Sequence, residues 1–287
     1  MEFIESVIVQ ANAKVNLTLD IKAKRPDGYH EIDSIMQSVD LCDYVTIRKS
    51  DCLTVTCSDK SLSGEGNLAY RAARLFFESA DICAGADVSI EKHIPVAAGL
   101  GGGSADAAAI LVGLNRLYQT GFSSERLCAL GVAIGADLPF CITGGTARAQ
   151  GIGELLTQAQ PIAGCFFVIV KAGEKTSTGS LYAQYDKQRA HMRPDTNAVL
   201  SALRQGCLPQ VCAGLCNVFE QLVPQSLPLE RIMRDCGALG ASLSGSGPAV
   251  FGIFSDEASA RVCKERIGGT AYLCVPCQSG CEIVESR

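Results

Sequence analysis

The chain has 287 residues, 47% of them hydrophobic and 19% charged, with a formal net charge of -5. That length suits one large domain or two modest ones, and the apolar fraction excludes a disordered chain. The acidic balance counts against a nucleic-acid or anionic-membrane partner, either of which needs a basic face.

The start, Met1 to Glu5, lacks a basic segment followed by an apolar run, and no stretch is long and apolar enough to span a bilayer. Fifteen cysteines, an odd number, read as reduced thiols rather than a disulfide framework. The expectation is a soluble, cytoplasmic protein.

Residues 14–23 alternate, with Val15, Leu17, Leu19 and Ile21 predicted on one face of a half-buried strand. Arg25-Pro26-Asp27-Gly28 reads as a turn. Strands are predicted at 44–47, 53–56 and 87–94, the last ended by Pro95, and a helix over 67–78. A glycine run at 99–103 precedes a helix of small residues over 104–118. Ser123 or Ser124 can cap a helix to residue 134, and Gly144-Gly145 reads as a turn. Beyond residue 157 the pattern restarts: strands at 165–171, 249–254 and 270–275, and helices at 196–204 (capped by Asp195), 229–236 and 259–267. Glycine turns and hairpin-like spacing favour an α+β fold with mixed sheets covered by helices over an all-parallel sheet.

The sharpest feature is Pro95-Val96-Ala97-Ala98-Gly99-Leu100-Gly101-Gly102-Gly103-Ser104-Ala105-Asp106. A strand ends, the backbone becomes glycine-rich and a helix begins. Glycines let successive amides point inward, and the helix N-terminus adds free N–H groups and partial positive charge, so a phosphate fits there. Ser104 offers a hydroxyl to a phosphate or a hydrated metal. A Walker-type loop is absent, and the last glycine of a dinucleotide fingerprint is missing.

These residues resemble the GHMP small-molecule kinases. The loop is similar to that family's ATP motif, Ala13-Lys14-Val15-Asn16-Leu17 to its first motif, and Leu243-Ser244-Gly245-Ser246-Gly247-Pro248 to its third. Arg25 to His30, the triple glycine, Gly135 to Phe140 and Gly151-Ile152-Gly153-Glu154 narrow the resemblance. They point to the branch that phosphorylates a cytidine-diphosphate-linked methylerythritol in non-mevalonate isoprenoid biosynthesis.

The resemblance implies a two-domain kinase, 1–157 and 158–287, with the site in the cleft between. It implies transfer of the ATP γ-phosphoryl group to the substrate's 2-hydroxyl, with Mg²⁺ accompanying the nucleotide and Ser104 a candidate ligand. Asp137 would be the base, and Lys14 would lie beside it and the reacting hydroxyl. Residues 95–105 and Asn67 would bind ATP, although Asn67 can equally cap its helix. Asn16, Tyr29, His30, Thr178, Tyr182, Gly245, Ser246 and Gly247 would face the substrate, with cytosine stacked between Tyr29 and Tyr182 and His30 at its edge.

The alternatives are another GHMP kinase with a homoserine or mevalonate-type acceptor, a decarboxylase of the superfamily, or a nucleotide-binding protein without turnover. Cys274-x-x-Cys277-x-x-x-Cys281 offers three thiols where a structural zinc usually takes four ligands, so packing is the expectation. His93 and His191 show no partner pattern.

Overall fold

The computed structural model describes residues 4–174, 176–188 and 192–287; His191 lies outside them. Two long strands dominate, β1 (Ser6–Lys24) and β2 (His30–Ser50), paired antiparallel along their length. The expected turn at 25–28 joins them. Gly28 N–H donates to the Arg25 carbonyl, and Asp27 Oδ1 accepts from the Tyr29 amide.

β1 differs from its predicted form in two ways. It is buried on both faces from residue 11 to 21, so Lys14, Asn16, Thr18 and Asp20 are enclosed rather than solvated. The register with β2 also slips between Asn16 and Thr18. Such a bulge re-aims the side chains that follow it. Val15 and Leu17 therefore belong to one apolar cluster, while Leu19 and Ile21 belong to another.

Two further strands and a helix follow: β3 (Thr54–Cys57), α1 (Leu68–Ala80) and β4 (Gly85–Glu91). α2 (Gly102–Leu117) begins two residues earlier than predicted, because Gly102 and Gly103 form its first turn instead of extending the loop. α3 (Ser124–Val132), capped by Ser123, leads to the short α4 (Leu138–Thr143) and the hairpin β5 (Thr146–Gly151) and β6 (Leu155–Gln158). α2 packs on β1 and β2, with α1 and α4 beside it. Ala105 and Ala107 to Ala109 bring α2 close, all without exposed surface.

The second part contains β7 (Phe166–Lys171), α5 (Thr178–Lys187), α6 (Thr196–Arg204), α7 (Leu208–Ala213) and the two-residue β8 (Cys216–Asn217). After these come α8 (Leu227–Asp235), β9 (Gly240–Leu243), β10 (Ala249–Phe254), α9 (Glu257–Ile267), β11 (Tyr272–Cys274) and β12 (Cys281–Ser286). The four-stranded sheet runs β11-β7-β10-β9, all antiparallel. The larger, eight-stranded sheet has the order β12-β1-β2-β4-β3, with β5 on β2, β6 on β5 and β8 on β1. It is mixed: β3–β4 and β1–β8 are parallel, the rest antiparallel. β8 and β12 thus cross from the later sequence into the first sheet. No described helix is long and apolar enough to cross a membrane.

Candidate active site

The glycine loop leaves β4 at Lys92 and enters α2 at Gly102. Gly99 and Gly101 adopt positive φ, +83° and +74°. A side chain at Gly99 would overlap the Ser244 carbonyl, and one at Gly101 would press on the Lys14 stem. The loop is pinned on both sides. The Leu100 carbonyl accepts from Lys14 N–H at 3.0 Å, the Ala98 carbonyl from Ala249 N–H at 2.8 Å, and Gly99 carbonyl from Ser244 Oγ at 3.0 Å. Lys171 Nζ donates to the Val96 carbonyl at 3.0 Å. The first and third motifs therefore clasp the second.

The polar face of β1 supplies the cation. Lys14 Nζ, almost fully buried, donates to Asn16 Oδ1 at 2.7 Å and lies 3.5 Å from Asp137 Oδ2. Asn16 Nδ2 donates in turn to Ser34 Oγ at 2.8 Å, which fixes the amide's orientation. Asp137 occupies the N-cap position of α4, yet its side chain makes no capping hydrogen bond. The carboxylate is one-third exposed. It is held near a cation and borders a cavity.

One cavity of about 480 Å³ joins these parts. Lys14, Asn16, Asp137, Asn67 and the loop from Pro95 to Ser104 line it, together with Thr178, Tyr182, Gly245 and Ser246. Thr178, at the start of α5, sits 3.0 Å from Ser246 across the hydroxyls. Asn67 does cap α1: Oδ1 accepts from Ala69 N–H at 2.9 Å, and Nδ2 donates to the Leu62 carbonyl at 2.7 Å.

Tyr29, His30, Ala105 and Gly247 are not among the described residues lining this cavity. Tyr29 is 61% exposed at the hairpin tip. His30 is buried and stacks on Tyr182, with ring centres 4.5 Å apart, and its Nε2 is 2.7 Å from Asp186 Oδ1. Phe219 meets the Tyr182 ring at right angles. Burial, followed by the Asp137 charge, pushes the Tyr182 hydroxyl up to about 12, so it stays a neutral donor.

Comparison with known proteins bears on this geometry. The family model "GHMP kinases N terminal domain" matches residues 67–145, and "GHMP kinases C terminal" matches 193–272. A 4-diphosphocytidyl-2-C-methyl-D-erythritol kinase from Alkaliphilus oremlandii is 41% identical over 271 residues, covering 92% of this chain and 93% of that one. This chain belongs to the GHMP kinases. Among solved structures, a 4-(cytidine 5'-diphospho)-2C-methyl-D-erythritol kinase superposes with a TM-score of 0.79 at 34% identity, covering 94% of this chain and 98% of that one. A homoserine kinase from Cytophaga hutchinsonii superposes at 0.75 with 18% identity over 99% of both chains, a likeness of fold alone.

Several residues of this GHMP kinase's site were not singled out by sequence. Lys92, just past β4, is 8% exposed and ion-paired with Asp43 of β2 and Asp106 of α2, the second at 2.7 Å. Burial holds the Asp106 carboxyl up, to about 7, against the pull of Lys92. The signal was an aspartate inside an otherwise apolar helix face. Asn217 of β8 donates to the Leu243 and Gly245 carbonyls at 2.9 and 2.8 Å, shaping the second glycine loop. Nothing local in the sequence marks it. At the C-terminal cysteines, Cys277 Sγ contacts the Ser279 carbonyl and Cys281 Sγ the Cys141 carbonyl. Among the described residues no group of three or more His, Cys, Asp or Glu could hold a metal.

Proposed function

We propose that this GHMP kinase transfers the γ-phosphoryl group of ATP to the 2-hydroxyl of 4-(cytidine 5'-diphospho)-2-C-methyl-D-erythritol, within non-mevalonate isoprenoid biosynthesis. The observation that carries the mechanism is the Asp137 carboxylate, uncapped and 3.5 Å from Lys14 Nζ, at the lip of the cavity that the glycine loop also lines. The names of relatives sharing about four-tenths of the sequence over most of its length support the choice of acceptor.

In this reading Asp137 takes the hydroxyl proton as the oxygen attacks the γ-phosphorus, and ADP leaves with the bridging oxygen. Lys14 lies beside Asp137 and stabilises the developing alkoxide. Its own position is fixed by Asn16. The loop 95–105 holds the ATP phosphates against the α2 N-terminus, and Asn67 borders the nucleotide. The free hydroxyl-bearing Ser104 at the mouth of α2 suits a Mg²⁺ ion, which neutralises phosphate charge when bound. Tyr182, His30 and Tyr29 take the cytosine side; Thr178, Gly245, Ser246 and Gly247 take the rest of the acceptor. We divide the chain into domains 1–157 and 158–287, with β8 and β12 returning to the first sheet. Fifteen free cysteines support a reducing cytoplasmic setting.

The test is a panel of acceptors with ATP and Mg²⁺: the cytidine-linked substrate, its uridine analogue, free methylerythritol phosphate, homoserine and mevalonate. Phosphorylation of the cytidine-linked compound alone supports the reading. Equal turnover of methylerythritol phosphate, or preference for another acceptor, removes the cytidine assignment.

A further inference from the structure

Beneath the glycine loop lies a charged cluster that the mechanism above does not use. Lys92 extends from the end of β4 between two carboxylates. Asp43 is wholly enclosed, and Asp106 is 3% exposed. Asp43 is fully engaged: its Oδ2 accepts from Lys92, and its Oδ1 accepts from the His93 and Ile94 amides at 2.6 and 2.8 Å. Asp106 Oδ2 accepts from Lys92, while its Oδ1 has no partner among the described residues. Lys92 and Asp106 both line the cavity. The ammonium sits 3.3 Å from where a side chain would begin at Gly102, the first residue of α2.

A buried pair normally balances its charge, because an uncompensated ion in low dielectric is costly. Here one cation serves two carboxylates, leaving a net negative charge when both are ionised. That charge stands under a helix N-terminus that would otherwise attract phosphate with its full dipole. A polyphosphate arriving there meets attraction from the loop amides and repulsion from below.

We propose that the Lys92–Asp43–Asp106 cluster presents one net negative charge beneath the glycine loop, that Asp106 is the positioning residue whose carboxylate sets it, and that this charge tunes the affinity for nucleotide phosphates. Asp106, with one oxygen unpaired, is the member that can lose its charge without stripping a backbone of its acceptor. The inference rests on the reading that the loop holds ATP.

The experiment compares ATP dissociation constants, measured by calorimetric titration at pH 8.5, for the wild-type enzyme, Lys92→Met, Asp106→Asn and the double variant, with thermal unfolding alongside. Lys92→Met takes the cation from two carboxylates, and burial then favours a proton on Asp106, so the net charge stays at one negative and ATP affinity is expected to hold within about threefold of wild type. Asp106→Asn keeps the shape, removes one charge and is expected to tighten ATP several-fold. The double variant restores the wild-type net charge and is expected to bind ATP nearly as the wild type does, although every Lys92 hydrogen bond is gone. A merely structural lysine predicts the opposite: Lys92→Met and the double variant would both bind ATP at least about tenfold more weakly than wild type. That result, or an Asp106→Asn variant that binds ATP as the wild type does, overturns the proposal. Should Lys92→Met fail to fold, Asp106→Asn against wild type decides alone. A wild-type enzyme that does not bind ATP would instead remove the reading of the loop on which this inference stands.

Discussion

Asp137 can be tested cleanly because its side chain contributes little to the fold. It makes no capping bond and is partly exposed, so Asp137→Asn should leave the unfolding midpoint and ATP affinity close to wild type. Turnover should fall roughly a hundredfold or more, the contribution of general base catalysis. Near-normal turnover would relieve Asp137 of that role. Gly101→Val couples two losses. Its positive φ strains a branched residue, and the new side chain would meet the Lys14 stem. ATP affinity and turnover should therefore fall together, while binding of the cytidine-linked substrate is largely kept; equal loss of both ligands would point to misfolding. Lys14 and Asp137 were legible because their flanking residues resemble family motifs, not because of their chemistry alone. Asn217 was illegible, since its purpose is to hold two carbonyls 26 and 28 positions away. His30 was expected at the substrate, but it does not line the cavity; it stacks on Tyr182 and meets Asp186, both on a helix whose docking no local pattern reveals.

Two elements were read to the residue, whereas capped α1, α3 and α9 were each read with an end about two residues astray. α6 starts at Thr196 behind Asp195, and β10 runs Ala249–Phe254 as its apolar run implies. β2 was read only at 44–47, because its first half carries buried Asp33, Ser34, Gln37 and Ser38 where solvent was expected. Those groups are satisfied across the sheet, as Asp33 is by Arg148 of β5 at 2.7 Å. The hairpin β5–β6, β9 and β12 are short and bounded by glycines, so they looked like loop. Gly144 was read as part of a turn, but a side chain on it would also run into the backbone of Ser279 and Gly280. Gly280→Ala would drive a methyl group into the Cys141 carbonyl at the end of α4. A loss of about 1–3 kcal/mol in urea unfolding is expected, the cost of overpacking. Michaelis constants measured well below the unfolding temperature should change little. An unchanged midpoint would mean that the α4–β12 crossing yields without strain.

The two sheets share one packing system. The first apolar cluster takes Val15 and Leu17 from β1 together with Phe167, Ile169, Phe251 and Ile253 from β7 and β10. The cavity is framed by more than this cluster: Leu100 on its wall belongs to it, Leu19, Ile32 and Phe219 to the second. β12 closes the outer edge of β1 through the pairs from Val7 with Ser286 to Ala11 with Cys281. Removal of residues 281–287 should lower stability by several kcal/mol and promote association through the bared edge. Unfolding and light scattering would report this; a truncated monomer of full stability would show that β12 is only an ornament of the sheet.

That pairing also dictates an order of events during synthesis. A ribosome releases β1 first, and β2 can zip onto one side of it within a few dozen residues. On the other side Thr18 and Leu19 can take β8, but Val7–Ala11 must wait until Cys281–Ser286 has emerged. Until then the nascent chain, growing at about 5–20 residues per second, carries the Val7–Ala11 stretch with one open flank. Lys14 lies beyond that late pairing: its backbone N–H goes to the Leu100 carbonyl of the glycine loop, a partner made long before β12.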